Sequence, residues 1–327
     1  MAADLARVAG PDREQQRREA RVERVFRAAT RCAALLVLAL LLGIAIALVV
    51  GSWPALRTFR WTFLGSSSWN PVTEKFGALA PLYGTVITST IAMLIAVPIG
   101  LGVAIFLTET CPMWLRRPIG TAIELLAAIP SIVFGIWGLF VLAPLLQRDV
   151  QPWLINHLGG WPLIGRLFQG PPFGIGLLTA GLVLAIMVLP FIASVMREVF
   201  ALTPRSLKEA AYGLGATQWD VVKGVVLPWS RTGAIGGIML GLGRALGETM
   251  AVTFVVGNAH RISGSLLAPG TTISASIANE FTEAVGELHT SSLIALGLVL
   301  FVLTITIISA ARLLIMRLEA GAGRIHA

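Results

Sequence analysis

Arg244 and Glu248 are the only two ionisable side chains in TGAIGGIMLGLGRALGETMAVTFVVG, a run that is otherwise apolar, small or hydroxylic. If the run is helical, their spacing of four places them on one face. Holding an Arg in hydrocarbon costs about 2.5–3.5 kcal/mol or more on insertion scales, so Arg244 should face protein or a water-filled cavity. Two readings stay open. The residues form a structural ion pair that locks a helix into a bundle, or they line the path of an anionic solute. Arg before Glu is the weaker order for an intrahelical pair, and two buried charges gain little from one local contact, which favours the path.

No other constellation offers chemistry of its own. His157, His260, His289 and His326 are scattered without metal-ligand spacing, and no nucleophile stands with a base. Cys32 and Cys111 both fall near membrane boundaries and indicate no disulfide framework. The phosphate-cradling pattern GxxxxGK[ST] is absent from the chain, so it lacks the loop needed to hydrolyse ATP. The fragment GLGRALG follows no strand and sits inside an apolar run, which removes a nucleotide-binding reading. A membrane enzyme and a metal or cofactor site on this chain therefore find no support.

The elements that must position Arg244 and Glu248 are membrane helices. The 327 residues are 56% apolar and only 13% charged, with a mean hydropathy of +0.81. About 20 apolar residues cross the hydrocarbon as a helix, because every backbone polar group is paired inside it. Six stretches qualify, at roughly 32–53, 82–109, 120–146, 173–199, 232–256 and 291–316. They predict an all-α integral membrane protein with a charged N-terminal tail (1–31), a six-span domain (32–316) and a short C-terminal tail (317–327). Of the 25 Lys and Arg, 18 fall on the side of the termini and six in the opposite loops, so both termini are expected in the cytoplasm. The net charge of +8 follows from this topology and from anionic headgroups, and nucleic acid is not implied.

Local features refine these spans. Pro98, Pro130 and Pro190 lie well inside three of them and predict bends. Gly233, Gly237 and Gly241, continued by Ala245, make a small-residue face for close helix packing. Trp53, Trp61, Trp69, Trp153 and Trp161 lie in the two outer loops, as an interfacial belt would. Glu124, a few residues into the third span, is expected to reach the cytoplasmic interface.

Between the fourth and fifth spans the polar stretch EAAYGLGATQWDVVKGVVLP interrupts the apolar pattern. Thr203 and Pro204 read as an N-cap with proline at the first helical position, and Gly213 with Gly215 as the stop. Thr217 with Asp220 resembles a capping box for a second helix, which Pro228 ends. The product is a rigid elbow spanning 203–228.

Glu209, Ala210, Ala211, Gly215, Val225, Leu227 and Pro228 fill the positions of the EAA loop in permease subunits of bacterial ATP-binding-cassette importers, with Val225 in place of the usual Ile. The chain thus resembles that family, which implies the type I importer permease (MetI-like) fold and a loop whose short helix docks on a separate cytoplasmic ATPase. Further stretches, AIFLTE, IPSIVFGIWG, LPFIASVMREVF, LGRALGETMAVTFVVGN and SIANEFTEA, resemble the PstC-type permeases of phosphate-specific (Pst) importers. This resemblance implies inorganic phosphate as solute and Arg244 presented to the phosphate dianion with Glu248 holding it. It also implies a second, PstA-like permease, a cytoplasmic PstB-like ATPase dimer carrying ATP and Mg, and an extracytoplasmic PstS-like binding protein, with this chain itself in the bacterial inner membrane. A permease for molybdate, sulfate or an amino acid is the nearest rival, and a gradient-driven carrier or channel a more distant one.

Overall fold

The computed structural model describes residues 13–162 and 165–322, so the two ends of the tails expected from the sequence lie outside the described residues. Among the described residues the chain is helical, with a single isolated bridge between Asn70 and Lys75. Helix α1 covers Arg13–Phe59, and the short α2 follows at Thr62–Gly65. Helix α3 runs over Leu79–Ile105 and continues through a π-turn at Phe106–Thr110. Then come α4 (Met113–Ala127), α5 (Ser131–Trp137), α6 (Ala143–Leu145) and α7 (Gln151–Leu158), the last three joined by π-turns. Helix α8 is Leu177–Ala201, and α9 and α10 are Arg205–Gly213 and Gln218–Val221. A π-turn leads into α11 (Leu227–Leu246), followed by α12 (Met250–Thr253), α13 (Ile273–Glu280) and α14 (Glu287–Ala322). Residues up to Gly51 and residues from Ser52 onward form two separate compact units.

Six helical stretches are long and apolar enough to span a membrane among the described residues. Four lie where the sequence places them; the third and fifth are displaced. The third is Ser131–Leu158 rather than 120–146, because Pro130 does more than bend its helix. Its extended backbone, φ −56° and ψ 136°, separates α4 from α5 outright. Pro98 and Pro190, by contrast, stay inside continuous α3 and α8. The fifth stretch begins at Gln218 and stops at Leu246, short of the expected 256.

The core of the second unit is organised around α8. Of its most apolar stretch 61% is buried, against 28% for α3 and 17% for α14. Val183, Leu184, Val188, Ile192, Met196 and Phe200 are sealed from solvent. Lipid tails are as apolar as leucine, so such a helix is held by close contact rather than by expulsion of water. The glycine face of α11 shows how close. A Cβ on Gly233 would lie 2.7 Å from Val199 Cγ1, on Gly237 2.9 Å from Val195 Cγ1, and on Gly241 2.8 Å from Ile192 Cγ1. No side chain fits there, and the small-residue face is the α8–α11 contact.

A smaller core sits at the start of α3, where Phe63, Phe76, Ile273, Leu293 and Leu296 pack together. Above it Trp69 donates from Nε1 to Glu280 Oε2 at 2.7 Å and stacks on His260. His289 Nε2 lies 3.1 Å from the same carboxylate oxygen. Trp69 is therefore a structural donor and not part of the interfacial belt, whereas Trp53, Trp61, Trp153 and Trp161 are exposed as expected. Burial pushes the His260 imidazole below its ordinary pKa, and the Glu280 carboxylate offsets this in part.

Candidate functional site

Arg244 occupies the last turn of α11, which Gly247 terminates. Glu248 lies in the link beyond, and its Oε1 accepts from the Ala251 N–H at 3.2 Å, capping α12. The helix breaks between the two residues, so the expected single face carrying an Arg–Glu pair does not form. No ion pair joins them among the described residues. Arg244 is exposed, with its guanidinium carbon 5.7 Å from the centroid of Phe191 on α8. A ring face in that position attracts a cation without neutralising it. The result is a positioned charge with free donors at the end of a span.

The elbow follows the sequence at its centre and departs from it at both ends. Helix α9 stops in a Schellman arrangement: Gly215 N–H donates to Tyr212 O at 2.9 Å and Ala216 N–H to Ala211 O at 3.1 Å. Gly215 holds φ +83°, the left-handed conformation this closure requires. The Thr217–Asp220 capping box is complete, with Thr217 N–H to Asp220 Oδ2 at 3.0 Å and Asp220 N–H to Thr217 Oγ1 at 3.3 Å. Thr203 is not the N-cap of α9. Pro204 takes that position, and no side chain caps the helix. Nor does Pro228 end the second helix. A π-turn, closed by Leu227 N–H to Val222 O, carries α10 into α11 and leaves Pro228 near the start of α11.

Helix α9 buries none of its residues. Glu209 and Ala210 are exposed and Ala211 is half-buried, while Leu227 packs on the core beside Pro228. Val221 and Val226 pack the far side of this elbow into the core, and a polar clamp comes from a residue to which the sequence assigns no role. Glu109, in the π-turn that ends α3, accepts Lys208 Nζ from α9 at 2.6 Å. Its backbone carbonyl accepts Gln218 Nε2 from α10 at 2.5 Å. The signal available was the acid closing AIFLTE, separated by one residue from Cys111 and Pro112, which break the helix. Glu124, at the same end of the bundle, pairs with Arg197 of α8. Arg244 and Glu248 are not part of this group.

The family model described as "Binding-protein-dependent transport system inner membrane component" matches residues 96–320. The chain belongs to this family. It is accordingly a multi-pass membrane permease and a component of a transport system. Among its relatives are the "Phosphate transport system permease protein PstC" of Mesorhizobium japonicum, 66% identical with 94% of each chain covered. The protein of the same name from Pasteurella multocida is 58% identical over 93% of this chain and 94% of its own. The permease fold is also that of solved importers at low identity. A bacterial ABC transporter for the acidic polysaccharide alginate matches with a TM-score of 0.56 and 16% identity, over 90% of this chain and 99% of that one. The inward-facing MetNI methionine transporter matches at 0.55 and 18%, over 76% and 99%.

Proposed function

We propose that this permease carries inorganic phosphate into the cytoplasm, driven by a separate ATPase that engages α9. A single observation carries the substrate class: Arg244 presents unneutralised guanidinium donors at the end of a span, as an oxyanion path requires. Phosphate is the solute named for relatives that align over 94% of the chain. The coupling reading is supported by an exposed, capped, stiff helix clamped to α3 through Glu109, because a stiff element conveys a displacement that a floppy loop would absorb. The charge bias of the loops supports placing this elbow and both termini in the cytoplasm. Glu209, Ala210, Ala211, Gly215, Leu227 and Pro228 then form the ATPase-coupling loop, and Arg244 with Glu248 lines the path.

The working assembly contains a second, PstA-like permease, two PstB-like ATPase subunits holding ATP and Mg, and a PstS-like binding protein that delivers phosphate from outside. The permease itself binds no cofactor. Vesicles containing these four components should take up labelled phosphate only when ATP is supplied to the ATPase, with little competition from sulfate or molybdate. Dominant competition by either oxyanion would reassign the solute. Uptake by the permease without any ATPase would reject the coupling.

A further inference from the structure

Where α3 ends, α4 passes and α8 turns into α9, a cavity of about 570 Å³ opens. Its size is that of a small-molecule site. Its charge is unbalanced. Arg197 and Lys208 on its wall are matched by Glu124 and Glu109. Arg116, Arg117 and Arg205 have no carboxylate partner among the described residues, and Glu198 is the remaining acid on the wall.

Two buried polar atoms on this wall also lack partners. Thr203 is only 3% exposed, yet its hydroxyl, released from the capping role its sequence suggested, bonds to nothing. Arg116 Nε is buried and unpaired as well, although its Nη2 donates to Thr108 O at 2.7 Å. Buried donors are ordinarily satisfied, and donors left open around surplus positive charge mark a place for an anion.

We infer that this cavity binds a phosphate group, held by the guanidinium groups of Arg116 and Arg117 and the hydroxyl of Thr203, apart from the path at Arg244. The inference rests on the cytoplasmic placement of the elbow proposed above. A phosphate group there ties α4 to the joint between α8 and α9, the root of the coupling helix, and so biases its movement. Two sources share this chemistry: free inorganic phosphate accumulated in the cytoplasm, and the headgroup of an anionic phospholipid.

The test uses the assembled complex of both permeases and the ATPase, without binding protein, in nanodiscs. An Arg244→Leu background removes the transport path from the reading. In phosphatidylcholine discs, labelled inorganic phosphate should bind, and Arg117→Gln or Thr203→Val should weaken it about tenfold or more, with Thr203→Ser restoring it. If the source is lipid, phosphate will not bind; instead the complex from phosphatidylglycerol discs will retain a phosphatidylglycerol molecule in native mass spectrometry, and the same variants will lose it. Either result supports the site and names its source. If neither probe binds, or if both bind the variants as well as the parent, the site does not exist. Complex yield reports assembly, and Thr203→Val is read alone should Arg117→Gln fail to assemble. Uptake by the complete system is scored separately, so a failure of phosphate transport overturns the proposed function while leaving the binding result readable.

Discussion

Arg244 stands without an ion-pair partner among the described residues, and the Glu248 oxygen caps α12 instead. A free guanidinium attracts an oxyanion more strongly than a paired one, and on the proposed path the Glu248 carboxylate would limit retention so that the anion can leave. Replacing Arg244 with Leu should abolish uptake in reconstituted vesicles while complex yield stays unchanged. Arg244→Lys, which keeps the charge and loses the fork, should retain a small fraction of the rate. Full uptake by the Leu variant would take Arg244 out of the path. Both residues were legible in the sequence as charges inside an apolar run. The break between them was not, because Gly247 continues a stretch rich in packing glycines and nothing local distinguishes a helix stop from one more close contact.

At the scale of elements, α9 and α10 were legible where local chemistry decides. The Schellman closure at Gly215 and the Thr217–Asp220 box need only neighbours along the chain. Thr203 and Pro228 depart from expectation because tertiary context rules them: Thr203 is buried against the bundle, and a π-turn absorbs the proline. Changing Glu209 to Lys should weaken ATPase recovery or uncouple hydrolysis from uptake. Glu109→Ala should preserve ATPase attachment, since the Glu109 side chain is covered by Lys208 of α9 and only 7% exposed, but lower the phosphate moved per ATP several-fold. Equal stoichiometry in parent and variant would show that the Lys208 and Gln218 contacts transmit nothing. The α8–α11 contact makes a separate prediction. Gly237→Leu places atoms where Val195 already lies, and overpacking of this kind costs about 1–3 kcal/mol, read as a lower thermal midpoint of the purified complex.

For the molecule as a whole, the length of the apolar stretches was enough to number the spans among the described residues, because backbone pairing in lipid leaves so few alternatives. They could not separate α4 from α5, since hydropathy continues across Pro130 while the chain direction does not. Nor could they find the second core, whose cluster of Trp69, His260, Glu280 and His289 draws on segments about 200 residues apart in sequence. That cluster gives the bundle a pH dependence. The His260 pKa is depressed in the folded protein, so its contribution is present above the ordinary histidine value of about 6.5 and is lost as pH falls below it. Glu280 and His289 face the same group, and Glu280 softens the loss. Hydrogen exchange in residues 257–286 of the complex should accelerate between pH 7.5 and pH 5.5, and His260→Gln should flatten that change. An unaltered profile would assign the sensitivity elsewhere.

Glu109 grips the elbow from both flanks, through Lys208 on one side and Gln218 on the other. A helix that merely abutted the bundle could be pushed and would then need a spring to come back. One that is tethered on both flanks can be pulled as well, so under the proposed coupling the return stroke would run through the same attachment as the power stroke.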